Sequence, residues 1–585
     1  MKIINVINKT SVEIYKSVKR FPVTIALSTA VIIVMIMISE TQFGGRYDSP
    51  MIKTLTRLAM VFALGIPLSL CIKLIFERYK QMSVSFKTLI YALASGALVV
   101  YYFSLLKDLE MVSMVRYVAL SFALYLGFFF IPYINKKEDF ELYIIKIITR
   151  FFITVIYAVV LFLGLAAIIF TVDELFGIAV QDKSYFYTWL FIAGIFSPIF
   201  FLGGVPQVDE SLEDYKYPNF FKILLLYIVM PLLSIYMVIL YIYFAKIIVT
   251  RTWPIGLVSH LVLWYSALCA AIIFLIAPIK NNVWVNKFIF FLPKLMLPIL
   301  GMMFISMGIR INAYGITENR YFVMILGIWV FCMMLYISFR KVHRNVILPI
   351  SLSIIAIISV FGPLSSFSVS KFSQNSRMAG ILVRNEMLVE NKIIKPKADV
   401  SEKDKKEVSA ILDYFERNHS LNDVKYLEKG FELKDMDKTF GFTYENPNQN
   451  NPKESYFSYS ANQAPEVLDI SGYEYLFDMR AYKNTLTHGD LKVEFIQQKG
   501  EVNIINAKNT LYTLKLSDLV KELKSKYPTG QGVGQKDMIY DRENEFVKLK
   551  FVFVNIYGSQ DLGEENLRID GADFYVLVES KLIYR

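Results

Sequence analysis

The sequence predicts an α-helical polytopic membrane bundle of about 11 transmembrane helices, followed by a soluble α+β domain. Three observations carry this. The 585 residues are 55% hydrophobic with a mean hydropathy of +0.44, too apolar for a soluble protein of this length. Between Phe21 and Phe367, apolar runs follow one another, each long enough for the roughly 20 helical residues that a hydrocarbon core about 30 Å thick requires. After Phe367 that pattern stops, and sequence of mixed polarity continues to Arg585.

The expected spans are 21–39, 56–76, 87–106, 115–134, 144–171, 185–206, 220–248, 256–277, 287–309, 321–340 and 346–367. Helices are expected because backbone amides in lipid must be satisfied within the segment. A large β-barrel would alternate apolar and polar residues, and runs such as Val31-Ile32-Ile33-Val34-Met35-Ile36-Met37 do not. Spans 144–171 and 220–248 exceed the bilayer's need and are expected to tilt or project. Lys16, Lys19 and Arg20 before the first run resemble the n-region of a signal peptide. The run is too long for an h-region and ends at Ser39-Glu40 without a small-residue cleavage site, so it reads as an uncleaved helix after a cytoplasmic segment, 1–20.

Residues 1–370 hold 31 Lys/Arg and 17 Asp/Glu, whereas 371–585 hold 31 and 34. The basic excess therefore sits in membrane loops and reads as topology, not as nucleic-acid binding. Alternating through eleven spans, 21 of the 31 basic residues fall on the face bearing the N-terminus. The positive-inside rule puts that face in the cytoplasm, and an odd span count puts the C-terminal domain outside. Cys71, Cys269 and Cys332 all lie in spans, which leaves the C-terminal domain without disulfides.

The domain organisation follows: bundle 21–367, exit segment and linker 368–397, and soluble domain 398–585. Within 376–394 an interfacial helix or first strand is expected before Lys395-Pro396-Lys397. Ser401 reads as an N-cap with Asp404 three residues on, and Val408, Ile411, Leu412 and Phe415 share one helical face. A second short helix is expected near 421–429, and 445–465 reads as a loop. From 466 the chain is β-rich, with strands at 474–479, 491–497, 502–507, 510–516, 546–556 and 573–579 and an amphipathic helix at 517–527. His488 marks a hairpin turn.

No P-loop, G-x-S-x-G or metal-ligand spacing occurs, so no cofactor is expected and the reading leans away from an enzyme. Gly530-x-Gly532-x-Gly534 follows a helix and precedes a strand, the wrong order for a phosphate cradle. Asp209, Glu210, Glu213 and Asp214 lack EF-hand spacing and read as a solvated loop. Inside the spans, ionisable residues are functional candidates. Lys294, between Pro293 and Pro298, and His260, about a turn into its span, remain after residues that snorkel are set aside. The turn from Arg310 to Phe322 is the most distinctive polar cluster. Gly315 permits a positive-φ reversal, Thr317 is placed to cap the tenth helix, and Arg310 or Arg320 is placed to pair with Glu318 or to hold a lipid phosphate or carboxylate. Arg251 lies on the same face. The candidate ligand residues are therefore Arg310, Tyr314, Glu318, Arg320, Arg251, Lys294 and His260, against the alternative of a rigid capped turn closed by an ion pair.

Tyr314-Gly315-Ile316-Thr317-Glu318-Asn319-Arg320-Tyr321, the preceding Arg310 and the later Ile470-Ser471-Gly472-Tyr473-Glu474-Tyr475 resemble the bacterial membrane family labelled domain of unknown function 4153. The resemblance extends to most of the chain, including the helices of 401–429. It implies this architecture and no activity, cofactor or catalytic residue. The functional expectation is an inner-membrane protein of the cell envelope whose outer domain binds a ligand or partner. Its partners would be membrane lipids and an envelope protein or lipid. A transporter or lipid-handling protein with a polar site in the bundle is the alternative, and an enzyme acting on an envelope lipid or polymer is a third.

Overall fold

The computed structural model describes residues 13–43, 49–134, 139–176, 181, 183–212, 215–251, 257–279, 281–340, 344–445, 454–461, 468–480, 484–507, 509–527, 533–561 and 567–581. Among them, ten helices are long and apolar enough to cross a membrane. They are α1 (Pro22–Phe43), α2 (Pro50–Arg78), α3 (Val84–Ser104), α4 (Met111–Phe130), α5 (Phe140–Phe176), α6 (Lys183–Gly203), α7 (Asn219–Thr250), α8 (Leu257–Ile276), α9 (Val283–Tyr314) and α10 (Glu318–Phe339).

The bundle has two principal interior clusters. Phe21, Leu70, Leu74, Phe128, Tyr143, Ile147 and Leu202 pack the first half, and Met230, Met237, Cys269, Met296, Leu300, Met303, Val330 and Met334 the second. Two helices widen to π-turns, Ile192–Phe196 in α6 and Leu224–Val229 in α7. Each precedes a proline, Pro198 or Pro231, whose missing N–H and ring disturb the ladder upstream. The first π-turn also lets α1 approach closely. A Cβ on Gly194 would lie 2.1 Å from Ile32 Cδ1, and Ser28 Oγ donates to the Gly194 carbonyl at 2.5 Å.

The eleventh expected span, 346–367, is built differently. Its helix, α11 (Ile347–Ile358), has 12 residues, too few to span a bilayer as a helix. Gly362, at φ +80°, and Pro363 end the helical path. The segment nevertheless runs the length of the bundle. Asn345 bonds Glu141 at the start of α5, whereas at the other end Val360 O accepts from Arg116 Nε (3.3 Å) and Leu364 O from Tyr321 Oη (2.5 Å). These side chains, with Ser366 N donating to Ser359 O (2.8 Å), supply partners to irregular backbone that lipid would leave unsatisfied.

The exit segment is also more ordered than expected. α12 (Ser366–Arg384) starts at Ser365, whose Oγ caps the helix from the N-terminal side. The hairpin β1 (Leu388–Val389) and β2 (Lys392–Ile393) follows. α13 (Glu402–Asn418) begins at the expected cap, Ser401 Oγ accepting from Asp404 N at 3.2 Å. Its apolar face, Val408, Ile411, Leu412 and Phe415, packs with Met378, Ile381 and Leu382 of α12 and with α14 (Met436–Phe440). The helix expected near 421–429 is reduced to a single 3₁₀ turn, Leu421–Asp423. These elements belong to one compact unit with the bundle, 1–445, so the expected boundary at 397/398 falls inside it.

The second unit spans 446–585. One antiparallel sheet runs β3 (Glu454–Ser460), β10 (Val547–Asp561), β11 (Leu567–Ser580), β4 (Tyr475–Asp478), with β9 (Ile539–Glu543) also paired to β10. The other is a meander of β5 (Thr485–His488), β6 (Leu491–Ile496), β7 (Glu501–Asn506) and β8 (Asn509–Lys515). The alternating Val547, Leu549, Phe551 and Phe553 turn inward with Val493, Val502 and Ile504. α15 (Leu516–Lys526) adds Leu516, Leu519, Val520 and Leu523 to the same core. All six expected strands and the helix are present. β3, β5 and β9 were not expected, β3 lying where a loop was read. His488 ends β5 at the turn before Gly489, as expected. Gly530 and Gly532 lie outside the described residues.

Candidate functional site

Two polar constructions stand out, one in each unit. In the first, α9 ends at Tyr314 and the chain reverses through Gly315 at φ +69°. A Cβ there would lie 2.7 Å from Arg377 Cδ and 2.9 Å from Gln374 Nε2, so both the angle and the space require glycine. The last carbonyls of a helix need outside donors. α12, lying against the turn, supplies them: Arg377 Nη1 donates to Tyr314 O (2.9 Å), and Gln374 Nε2 donates to Tyr314 O (3.2 Å) and Ile316 O (3.0 Å). Ser373 Oγ accepts from Ile316 N at 2.8 Å. Arg320 Nη1 reaches back to Gly315 O (2.7 Å) and Tyr314 O (3.1 Å).

Glu318 opens α10 and is 8% exposed. The expected ion pair with Arg310 or Arg320 is not what its carboxylate forms. Glu318 Oε1 accepts from Tyr414 Oη at 2.7 Å and lies 2.8 Å from His419 Nε2, and Tyr414 Oη and His419 Nε2 are themselves 2.9 Å apart. A closed triangle of three polar atoms is thereby buried between α10 and the C-terminal end of α13. Burial first, then the Glu318 carboxylate, push the Tyr414 phenol well above the ordinary tyrosine range, so it stays a proton donor to that carboxylate. The carboxylate also faces the positive end of α10. Thr317 occupies the N-cap position, but its side chain makes no capping bond. The arrangement bonds helix ends together: Arg320 donates to backbone carbonyls, and Arg377 divides its donors between the Tyr314 carbonyl and the Glu407 carboxylate, 3.2 Å from Nη2.

The other expected residues lie elsewhere. Arg251 follows α7 in a left-handed conformation (φ 52°) and is exposed. His260 is half-buried near the start of α8. Lys294, half-buried in the unbroken helix α9, places Nζ 3.2 Å from the centroid of the Phe290 ring. Of the seven, the structure gathers Tyr314, Glu318 and Arg320 at the turn, with the Arg320 guanidinium 5.5 Å from the Tyr314 ring centroid, and Arg310 lies in the last stretch of α9 before it, where its charge acts on Arg320. Arg377, Gln374, Tyr414 and His419 were not anticipated there. In the 207–219 loop Asp209 pairs with Lys80 and Glu210 with Lys146, while Glu213 and Asp214 lie outside the described residues. No group of three metal-ligating side chains occurs among the described residues.

The second construction is a cleft of about 620 Å³ in the β-rich unit. It opens where β10 and β11 lose register twice. Phe553 pairs with Phe574 and Asn555 with Asp573, leaving Val554 extra; Tyr557 pairs with Gly571 and Gly558 with Ile569, leaving Asp570 extra. Bulges bend a strand and re-aim side chains, and both extra residues line the cleft with Asn555, Tyr557 and Asp573. The end of β6 adds Phe495, and the 3₁₀ turn after it adds Gln497, whose Nε2 donates to the carbonyl of Asp570 at 2.5 Å. Arg480, just past β4, completes one wall. Asp478 grips it from two sides (Nε–Oδ1 2.8 Å, Nη2–Oδ2 2.8 Å), and it lies 4.4 Å from the centroid of the Tyr575 ring. Gly571 is fixed by packing, since a Cβ would lie 2.5 Å from Tyr557 Oη. Ile470–Tyr475, singled out in the sequence, forms the turn into β4 around Gly472 (φ +78°).

Among proteins of known sequence, the chain is 27% identical over 160 residues to "Uncharacterized protein PM1469" of Pasteurella multocida (strain Pm70); the stretch covers 27% of this chain and 26% of that relative. No solved structure matches. The family described as "Domain of unknown function (DUF4153)" matches residues 24–391, which include the bundle, the 310–322 turn and α12. Helix α13 and the Ile470–Tyr475 segment lie beyond the matched residues. With that match extending over more than half its length, the chain belongs to the DUF4153 family of membrane proteins.

Proposed function

We propose that this protein is a ligand-binding component of the bacterial cell envelope, its N-terminus in the cytoplasm and its β-rich unit, 446–585, on the outer side of the cytoplasmic membrane. The observation that carries the reading is the cleft at the paired bulges of β10 and β11. Its volume lies in the range of about 300–1,000 Å³ typical of small-molecule sites, and polar groups from two strands, the turn after β6 and the segment between β4 and β5 converge on it. The 21 basic residues on the N-terminal face support the orientation, as does the run of 345–364 along the bundle, which adds an eleventh passage to the ten long helices.

The transport alternative has less behind it. It needs a polar site around Lys294, and that ammonium sits instead against the Phe290 ring. The test is amide hydrogen exchange on the full-length protein in nanodiscs, with and without a small-molecule extract of the cell envelope. Ligand binding is expected to slow exchange at 554–557 and 570–573. Protection confined to the bundle, or none with any fraction, would overturn the reading.

A further inference from the structure

We propose that the cleft of the β-rich unit takes a neutral polyhydroxylated ligand, a saccharide unit. This rests on the reading of the cleft as the ligand site and adds the chemical class. Three classes compete for a site of this size, and the lining separates them. A phosphate or other anion calls for uncompensated positive charge. The cationic side chain lining the cleft, Arg480, is held on two sides by Asp478. An acyl chain calls for an apolar lining, and here only Phe495, Val554 and Ala572, with backbone at Gly571, interrupt the polar groups. What remains is a mixed set of donors and acceptors. The amides of Asn484, Gln497 and Asn555 bring N–H donors and carbonyls, although one Gln497 N–H is given to the Asp570 carbonyl and the Asn555 carbonyl accepts from Ser460 Oγ at 3.1 Å; the carboxylates of Asp570 and Asp573 accept, and the Tyr557 phenol does both.

Vicinal hydroxyls, each at once donor and acceptor, match such a set without bringing net charge. Asp570 is partly compensated by Arg568 at 3.0 Å, which further lowers the demand for a cation. The two bulges give the inference geometric footing. In a regular ladder the side chains of 554 and 555, or of 570 and 571, would point to opposite faces. The extra residues bring Val554 beside Asn555 and Asp570 beside Gly571 around one concavity. The absence of a side chain at Gly571 makes room for the Tyr557 ring over the strand, and that ring supplies the flat edge against which a sugar face can lie.

The test uses full-length protein in phospholipid nanodiscs, free of sugar-headed detergent, and saturation-transfer NMR. The probes are glucose, galactose, N-acetylglucosamine, maltose and chitobiose, with inorganic phosphate, glutamate and arginine as the competing classes. At least one sugar is expected to receive saturation. Asn484→Ala, at an exposed position, is expected to weaken its binding about tenfold, the effect of losing a good hydrogen bond. Gly571→Ala is expected to abolish binding by displacing the Tyr557 ring, and thermal melts of both variants report whether the unit stays folded. Transfer to phosphate, glutamate or arginine but to no sugar, lost in Asn484→Ala, would overturn the saccharide class and leave the cleft as the site. Sugar binding unchanged in both variants would overturn the assignment of sugars to the cleft. No transfer to any probe would overturn the saccharide inference, with the exchange experiment above deciding separately whether the cleft takes some other ligand.

Discussion

Glu318 shows why a cluster visible in sequence can have partners that are not. Its charge suggests an arginine within the same turn, and Arg310 and Arg320 are at hand. Its actual partners, Tyr414 and His419, lie 96 and 101 residues away and reach it only because α12 and α13 fold back over the turn. No spacing rule carries that information. The glycine at 315 and the reversal were legible because they are local. If the triangle is the joint between α10 and α13, Glu318→Ala leaves two buried polar groups without their acceptor. Hydrogen bonds to a charged group contribute about 1.5–3 kcal/mol each, so the detergent-solubilised protein should melt several degrees lower, and Tyr414→Phe should lower it less. A Glu318→Ala melt equal to wild type would remove the joint from the account. The cleft residues were equally out of reach: β10 and β11 are plain alternating strands in sequence, and the register shifts that turn Asn555, Tyr557, Asp570 and Asp573 toward one concavity arise only in the pairing.

At the scale of elements, hydropathy marked the ten long helices because lipid imposes one solution on the backbone. The segment expected as an eleventh span shows where that signal misleads. The apolar run 346–367 is continuous, yet Gly362 and Pro363 stop the helix, and Arg116 and Tyr321 take over the hydrogen bonding of the carbonyls beyond it. Arg116→Ala should therefore destabilise more than an ordinary surface change. The arginine also lies 5.6 and 5.5 Å from the ring centroids of Phe361 and Phe367, so packing is lost with the bond. A stability within about 0.5 kcal/mol of wild type, the usual limit for surface substitutions, would contradict this.

The α12–α13 contact gives a pH prediction. Burial opposes ionisation of Asp404, but hydrogen bonds from Asn385, Arg384 and Ser401 outweigh it and hold the carboxyl below the ordinary aspartate range. A depressed folded-state pKa means that the unfolded chain binds the proton more readily. The contribution is therefore full above the ordinary aspartate pKa and lost as pH falls through the lower, folded value. Acidification should loosen α13 in wild type, read by hydrogen exchange at 402–418, and Asp404→Asn should already be loosened at neutral pH and respond less to acid. An identical acid response in both would rule Asp404 out.

At the scale of the whole molecule, the sequence separates membrane from water at Phe367, whereas compactness separates at 445/446. The difference has a physical cause. The apolar face of α13 is covered by α12, which follows directly on the α11 segment of the bundle, and hydropathy cannot register such packing. The fragment 446–585 has its own core of Phe551, Phe553, Phe574 and their neighbours. Expressed alone it should be soluble and unfold cooperatively, whereas a fragment beginning at 398 would expose the α13 face and associate or aggregate. Equal behaviour of the two fragments would contradict the division.

The central claim, a ligand cleft presented outside the membrane, can be reached with one thiol. Cys71, Cys269 and Cys332 all lie in the bundle, so a cysteine-free background carrying Asn484→Cys places a single reactive group at the rim of the cleft. Intact spheroplasts are treated with a membrane-impermeant maleimide, and total labelling is measured after lysis. The Asn484→Cys thiol is expected to be labelled fully from outside. Protection in intact spheroplasts, with labelling only after lysis, would put the cleft in the cytoplasm and contradict the claim.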